Sequence, residues 1–163
     1  MKTLVLMRHA KAAKPLTKAN DRERGLTMDG RVQAEEIARA LANENFKPDA
    51  ILVSDAKRAR ETALIVADIL GVFDRVKTAE KLYDGGAREY IRAIDAIASR
   101  VESALVIGHN PSISDAGALI CDDFTEQFAP ADALGIELDR TIGEGTGKRL
   151  FFLNAAAFGA LAS

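Results

Sequence analysis

The chain predicts an α/β fold of three layers, α/β/α, with a mainly parallel sheet between helices. Three observations carry this expectation. The apolar runs Thr3-Leu4-Val5-Leu6, Ile51-Leu52-Val53 and Leu105-Val106-Ile107 read as short buried strands. Stretches with apolar residues at helical spacing lie between them. Near the C-terminal end, Leu134, Ile136 and Leu138 alternate with polar neighbours, and a glycine-rich turn then leads into Arg149-Leu150-Phe151-Phe152-Leu153, the pattern of a hairpin. A length of 163 residues suits one well-buried core and is short for two ordinary domains, so residues 1–163 read as a single domain.

In chain order the pattern predicts a strand over 2–7, a loop over 12–26, a helix over 28–44, a strand over 50–53 and a helix over 56–70. Val32, Ile37, Ala38 and Leu41 in the first helix, and Ala63, Leu64, Ala67 and Leu70 in the second, recur at helical spacing and should face the sheet. Gly71 closes the second helix. A short strand near 76–77 leads to the turn-like Leu82-Tyr83-Asp84-Gly85-Gly86, and the next helix carries Tyr90, Ile91, Ile94 and Ile97 inward. A strand over 104–107, a helix over 111–120 and an irregular stretch over 121–132 complete the path to the hairpin.

Hydrophobic residues make up 48% of the chain and charged residues 28%, with a net charge of -2, the profile of a soluble globular protein. Nothing in this balance calls for nucleic acid. Lys11, Lys14, Lys18, Arg22 and Arg24 cluster in the first loop but are mixed with Asp21 and Glu23, which favours a solvated loop over a docking patch. The first apolar stretch is shorter than a signal-peptide core or a membrane span, so the expected location is the cytosol, with no membrane partner. Cys121, the only cysteine, follows Ala118-Leu119-Ile120 and reads as a core thiol. Two histidines without cysteine partners give no zinc-type spacing, and no cofactor or metal is expected.

Those two histidines carry the chemistry. Arg8 and His9 end the first strand, at the edge where open α/β sheets place their ligand crevice. A neutral imidazole can attack phosphorus and hold the phosphoryl group covalently, while a neighbouring guanidinium grips phosphate oxygens in a fixed fork. His109 ends the strand over 104–107, with Asn110 and Pro111 read as N-cap and first helical residue. Taken singly, Arg8-His9 is also ordinary polar punctuation, and His109 could simply cap a helix. Arg58 and Arg60 sit two apart on one helix and point to different sides, so only one of them reaches the crevice.

Arg8-His9 after the first strand, Ser54 to Thr62 with Arg58, and Gly108-His109-Asn110-Pro111 together resemble the histidine phosphatase superfamily, and within it the short phosphohistidine phosphatases of the SixA type. The resemblance runs from Met1 to about Phe152 and includes Asp21-Arg22-Glu23-Arg24-Gly25-Leu26-Thr27-Met28-Asp29-Gly30, similar to the family's acidic-Arg-Pro-Leu-Thr-x-x-Gly pattern. Ala10 stands where the family has glycine, and Gly25 where it has proline.

The resemblance implies a phosphoglycerate-mutase-like fold with one antiparallel strand. It also implies metal-independent phosphoryl transfer, with His9 as nucleophile and Arg8, Arg58, His109 and Asn110 around the phosphoryl group, where inorganic phosphate or sulfate would also bind. In the wider superfamily a proton donor follows the third strand, and Asp84 is the nearest match, although Asp84-Gly85-Gly86 is equally good turn chemistry. In SixA-type proteins that acid is typically missing. The interval from Ser54 to Asp84 leaves no room for the helical insert that covers the site in small-molecule members. An open site favours a phosphohistidine-bearing protein, such as a histidine phosphotransfer domain. A small phosphomonoester is the second reading, and a phosphate-binding module without turnover the third.

Two other patterns are set aside. Gly143-Glu144-Gly145-Thr146-Gly147-Lys148 joins two strands instead of opening a helix, so it reads as a hairpin turn and not a phosphate loop. Ser54-Asp55-Ala56-Lys57 matches Ser-x-x-Lys, but the companion motifs of that hydrolase class are missing, which leaves a strand-to-helix corner.

Overall fold

In the computed structural model, which describes residues 1–162, the strands are β1 (Thr3–Arg8), β2 (Ala50–Val53), β3 (Val76–Thr78), β4 (Ser103–Gly108), β5 (Ala133–Leu138) and β6 (Gly147–Leu153). They form one six-stranded sheet of order β3-β2-β4-β1-β5-β6. The first four pair in parallel, β5 runs antiparallel to β1, and β6 runs antiparallel to β5, so β5 alone opposes the rest. The helices are α1 (Met28–Asn43), α2 (Lys57–Leu70), α3 (Lys81–Asp84), α4 (Ala87–Ala98), α5 (Ser112–Ile120) and α6 (Ala155–Ala162).

The period of two along a strand splits the core into halves. Val5, Met7, Ile51, Val53, Leu105 and Ile107 pack under α1 and α2. Leu4, Leu6, Leu52 and Val106 pack under α4 and α5 on the opposite face. Each fully buried Leu, Ile or Val side chain contributes roughly 1.5–3 kcal/mol against its exposed state. That burial on both faces fixes the central strands, and with them whatever stands at their ends.

The buried stripes differ from the expected ones at two positions. Val32 is 51% exposed and Leu64 41%. In α1 the stripe is Ala34, Ile37, Ala38 and Leu41, and Val32, two residues before Ala34, lies about 200° away around the helix. In α2 it is Ala59, Ala63, Val66, Ala67 and Leu70, and Leu64 falls about 100° to its side. Ile91 and Ile97 are half-buried, with Tyr90 and Ile94 carrying the inward face of α4. The sequence pattern also passed over α3, α6 and a 3₁₀ turn at Lys18–Glu23 inside the first loop.

That loop is anchored at its ends. Ala12 bridges Leu26, and Thr27 caps α1 by accepting from the Gly30 amide at 3.0 Å. Gly30 has a steric reason: a Cβ there would overlap the Lys11 carbonyl oxygen, which lies against the helix. Among the described residues no helix is long and apolar enough to cross a membrane.

Candidate active site

Strand register builds the floor of the site. Arg8 pairs with Gly108 and Val53 with Ile107, so the next residues, His9, His109 and Ser54, stand side by side at the carboxyl ends of β1, β4 and β2. The ladder continues one step further, through His9 N–H to Gly108 O at 3.0 Å and Ser54 N–H to Ile107 O at 3.1 Å. The imidazole centroids of His9 and His109 are 5.1 Å apart, and each residue is 8% exposed.

Two contacts fix the proton on His9. Its Nδ1 lies 2.8 Å from the Ala10 carbonyl oxygen, which can only accept, and its Nε2 lies 3.3 Å from Arg58 Nε, which can only donate. Nδ1 therefore carries the hydrogen and Nε2 the lone pair. Burial lowers the pKa to about 3, helped by the charges of His109, Arg58 and Arg8 and opposed by the Ala10 hydrogen bond, so the ring is neutral at pH 7. Ala10 takes its place without a left-handed backbone, and its amide donates to Thr62 Oγ1, which itself donates to the Arg58 carbonyl.

His109 is braced from two sides. Its Nε2 is 2.7 Å from Ser54 Oγ, which also accepts from the Ala56 amide at 3.3 Å. The other ring nitrogen, Nδ1, is buried with no hydrogen-bond partner among the described residues. Its backbone amide donates to the Tyr90 hydroxyl at 2.9 Å, and Tyr90 donates to Leu82 O at 2.7 Å. Gly108 makes room for this contact, since a Cβ would overlap the phenol oxygen. Burial and the Arg58 charge lower the His109 pKa to about 4, against the opposing pull of Asp21.

Arg8 is held from the far side. Its Nη1 donates to Phe128 O at 2.9 Å, and Asn110 Nδ2 donates to the same oxygen at 2.8 Å. Ser114 Oγ donates to Asn110 Oδ1 and accepts from the Phe128 amide, closing a ring of hydrogen bonds. Asn110 thus orders the loop instead of capping α5, which starts one residue later than expected, at Ser112. The Phe128 ring packs with Phe124 and Phe152 at centroid distances of 5.4 and 5.5 Å. Burial lowers the Arg8 pKa, with the Asp132 charge opposing.

Two neutral imidazoles and two guanidinium groups on one strand-end floor suit a phosphoryl group. Residues 4–103 match the model of the histidine phosphatase superfamily, branch 1. The chain belongs to that superfamily. It is 31% identical over 148 residues to an uncharacterized protein of Mycobacterium tuberculosis, covering 84% of this chain and 88% of the relative. Its fold superposes on the protein histidine phosphatase SixA complexed with tungstate, with a TM-score of 0.84 and 26% identity over 96% of this chain and 99% of that one. An Agrobacterium tumefaciens protein described as a SixA phosphohistidine phosphatase gives 0.81 and 28% over 93% and 97% of the two chains. By family the protein is a phosphatase, a hydrolase of phosphoryl groups, with the phosphoglycerate-mutase-like fold.

This histidine phosphatase has a wall that sequence reasoning missed. Asp21, on the 3₁₀ turn, accepts from Tyr83 Oη at 2.6 Å and Arg58 Nη2 at 3.2 Å through Oδ2, and from Arg24 Nε at 3.0 Å through Oδ1. Its backbone carbonyl accepts from Arg58 Nη1 at 2.8 Å. The hydrogen bond from Tyr83, with the Arg58 and Arg24 charges, lowers the Asp21 pKa to about 2 despite some desolvation. The same bond raises that of Tyr83. Tyr83 meets His109 edge-on, with ring centroids 5.6 Å apart. Arg22 lies over the Tyr83 ring at 4.2 Å and pairs with Asp55 at 3.0 Å.

Asp84 is not brought to this cluster. Residues 81–84 form the helix α3 instead of a plain turn, and consecutive helical residues point about 100° apart. Tyr83 therefore faces the site and Asp84 is exposed, with no hydrogen bond or ion pair to a described residue. Of the two arginines on α2, Arg58 is buried in the site and Arg60 exposed.

Proposed function

We propose that this histidine phosphatase hydrolyses phosphohistidine on a protein, such as a histidine phosphotransfer domain, through a phosphohistidine intermediate at His9. The observation that carries the reading is the tautomer of His9: a buried neutral ring with Nδ1–H on the Ala10 carbonyl and the Nε2 lone pair directed into the Arg8–Arg58–His109 cluster. Among the described residues, Arg8 Nε and His109 Nδ1 are buried nitrogens without a hydrogen-bond partner. A phosphoryl group brings the oxygens that would satisfy both. Tungstate, bound by the similar SixA, is a tetrahedral oxyanion of the same geometry.

In the first step His9 Nε2 gives its lone pair to phosphorus as the P–N bond of the substrate breaks, and the pair of the broken bond goes to the departing imidazole. Arg8 and Arg58 neutralise the charge spread over the three equatorial oxygens, and His109 offers a hydrogen bond beside them. In the second step water forms an O–P bond, the His9 N–P bond breaks with its pair returning to Nε2, and the water protons leave with phosphate and solvent. The side chain of α3 that faces the site is Tyr83, whose hydroxyl hydrogen is held by Asp21. That supports a leaving group that needs no acid from the protein, as an imidazole protonated on its other nitrogen does not.

Acid quenching of a turnover mixture should lose the label from the protein while alkali retains it, as a phosphoramidate requires. An acid-stable, alkali-labile adduct would overturn the assignment. His9→Ala should lower turnover on the order of 10⁴-fold or more, with the fold intact.

A further inference from the structure

The Asp21 carboxylate is the one feature of the site that phosphate binding does not explain. It is a permanent anion on the rim of a pocket built for anions. The groups that hold it come from separate parts of the chain, Arg58 on α2, Tyr83 on α3 and Arg24 at the end of its own turn. It cannot rotate away without breaking all of these bonds. It also takes two donors of Arg58, Nη1 to its carbonyl and Nη2 to its carboxylate, while Nε of the same guanidinium faces the His9 lone pair. Asp21 thus stands one guanidinium away from the attacking nitrogen. Arg24 and Arg58 are both ion-paired to it, and Arg8 makes no ion pair with a described residue.

We propose that Asp21 is the specificity-determining residue of this site, a fixed negative charge that favours a phosphoryl group carried on a protonated ring nitrogen over one carried on oxygen. The idea rests on the phosphohistidine reading above for its natural substrate. When the P–N bond of a protonated phosphoimidazole breaks, its electron pair returns to a ring that already holds a proton, so the leaving group goes from positive to neutral. When the P–O bond of an ester breaks, the pair lands on oxygen and the leaving group goes from neutral to negative. Measured from the free substrates, as kcat/KM is, a nearby carboxylate stabilises the leaving ring, still partly positive in the first transition state, and destabilises the leaving oxygen, partly negative in the second. Tyr83 adds to the contrast, because the hydrogen that could meet the leaving oxygen is already donated to Asp21.

The test compares kcat/KM for N-phosphoimidazole and phenyl phosphate in the wild type, Asp21→Asn and Asp21→Glu, with the inhibition constant of vanadate beside them. The 3₁₀ turn buries none of its residues, so neither substitution disturbs the core. Asp21→Asn should lower the ratio of phosphoimidazole to phenyl phosphate activity by about tenfold or more, and tighten vanadate by a similar factor. Asp21→Glu, which keeps the charge, should restore the ratio. If both substrates fall together and the ratio holds in Asp21→Asn, the residue only orients Arg58 and the inference is overturned. A wild type that prefers phenyl phosphate would instead sink the phosphohistidine reading, and the change in ratio would still report the contribution of Asp21.

Discussion

His9, His109 and Ser54 stand at the ends of three hydrogen-bonded parallel strands, whereas Asp21, Arg22 and Tyr83 stand, half-buried, on a 3₁₀ turn and a helix of four residues. The floor inherits its geometry from ladder register, which changes only in whole-residue steps that would turn the buried face of a strand outward. The wall is held by ion pairs and side-chain hydrogen bonds near solvent, each modest and weakened by salt. In the mechanism proposed above, attack and charge neutralisation rest on the rigid part, and the discrimination among leaving groups proposed for Asp21 rests on the part that can vary.

The largest break in this comparison should come from the floor's donors. Arg8→Ala or His109→Ala should each cost about 3 kcal/mol of transition-state stabilisation, close to 10²-fold in kcat/KM, with little change in stability. Because guanidinium groups supply the positive charge, a chelator should leave wild-type turnover unchanged. Restoration of chelator-inhibited enzyme by a divalent metal would contradict this.

Tyr90→Phe strikes the brace beneath the floor. It leaves the His109 amide and the Leu82 carbonyl unpaired in the core, a loss of about 1–3 kcal/mol in denaturant unfolding. Since the ring keeps its place and His109 loses an anchor, kcat should fall more than KM rises.

Proton linkage sharpens the contrast further. Burial holds His9 and His109 neutral, with pKa values of about 3 and 4 against 6.5 in an unfolded chain. Below pH 6.5 the unfolded chain takes up protons that the native one does not, so stability present above that pH is lost as it falls toward 4. Removing one of these rings, in His9→Ala, should flatten the profile near pH 5 by up to about 1.4 kcal/mol per pH unit. Parallel profiles for the two proteins would mean that the native ring takes up its proton as readily as the unfolded one, and that burial does not hold it neutral.

The smallest effect should be at Asp84. Asp84→Asn should change phosphohistidine turnover by less than about twofold, and that of an alkyl phosphate no more, because the side chain is exposed and makes no bond to the floor. A loss of 100-fold on the alkyl phosphate alone would restore it as a general acid.

The floor was readable because its residues follow apolar strands directly: Arg8-His9 and Gly108-His109 are local patterns whose meeting needs only parallel pairing. The wall was not, since the partners of Asp21 lie 37 residues away in Arg58 and 62 away in Tyr83. Its alternation of acids and bases, Asp21-Arg22-Glu23-Arg24, looks like a solvated loop until those partners are known. Asp84-Gly85-Gly86 suggested a turn, and one helical turn in its place was enough to exchange Asp84 for Tyr83 at the site. Asn110 resembled an N-cap because residue type matched, but its amide found Phe128 and Ser114 before any helical N–H. Val32 and Leu64 fitted a helical period while lying outside the stripe that the neighbouring sheet actually covers.

The Phe128 carbonyl, shared by Arg8 and Asn110, gives affinity an address outside the pocket. Its position depends on how Phe124, Phe128 and Phe152 fill their corner of the hydrophobic interior. A relative that exchanged Phe152 for a smaller residue would keep every charged group at the site and still hold its guanidinium at a different angle. Grip on the phosphoryl group could then drift between lineages through an aromatic cluster that joins the segment before β5 to the edge strand β6, with no trace in the residues that touch the substrate.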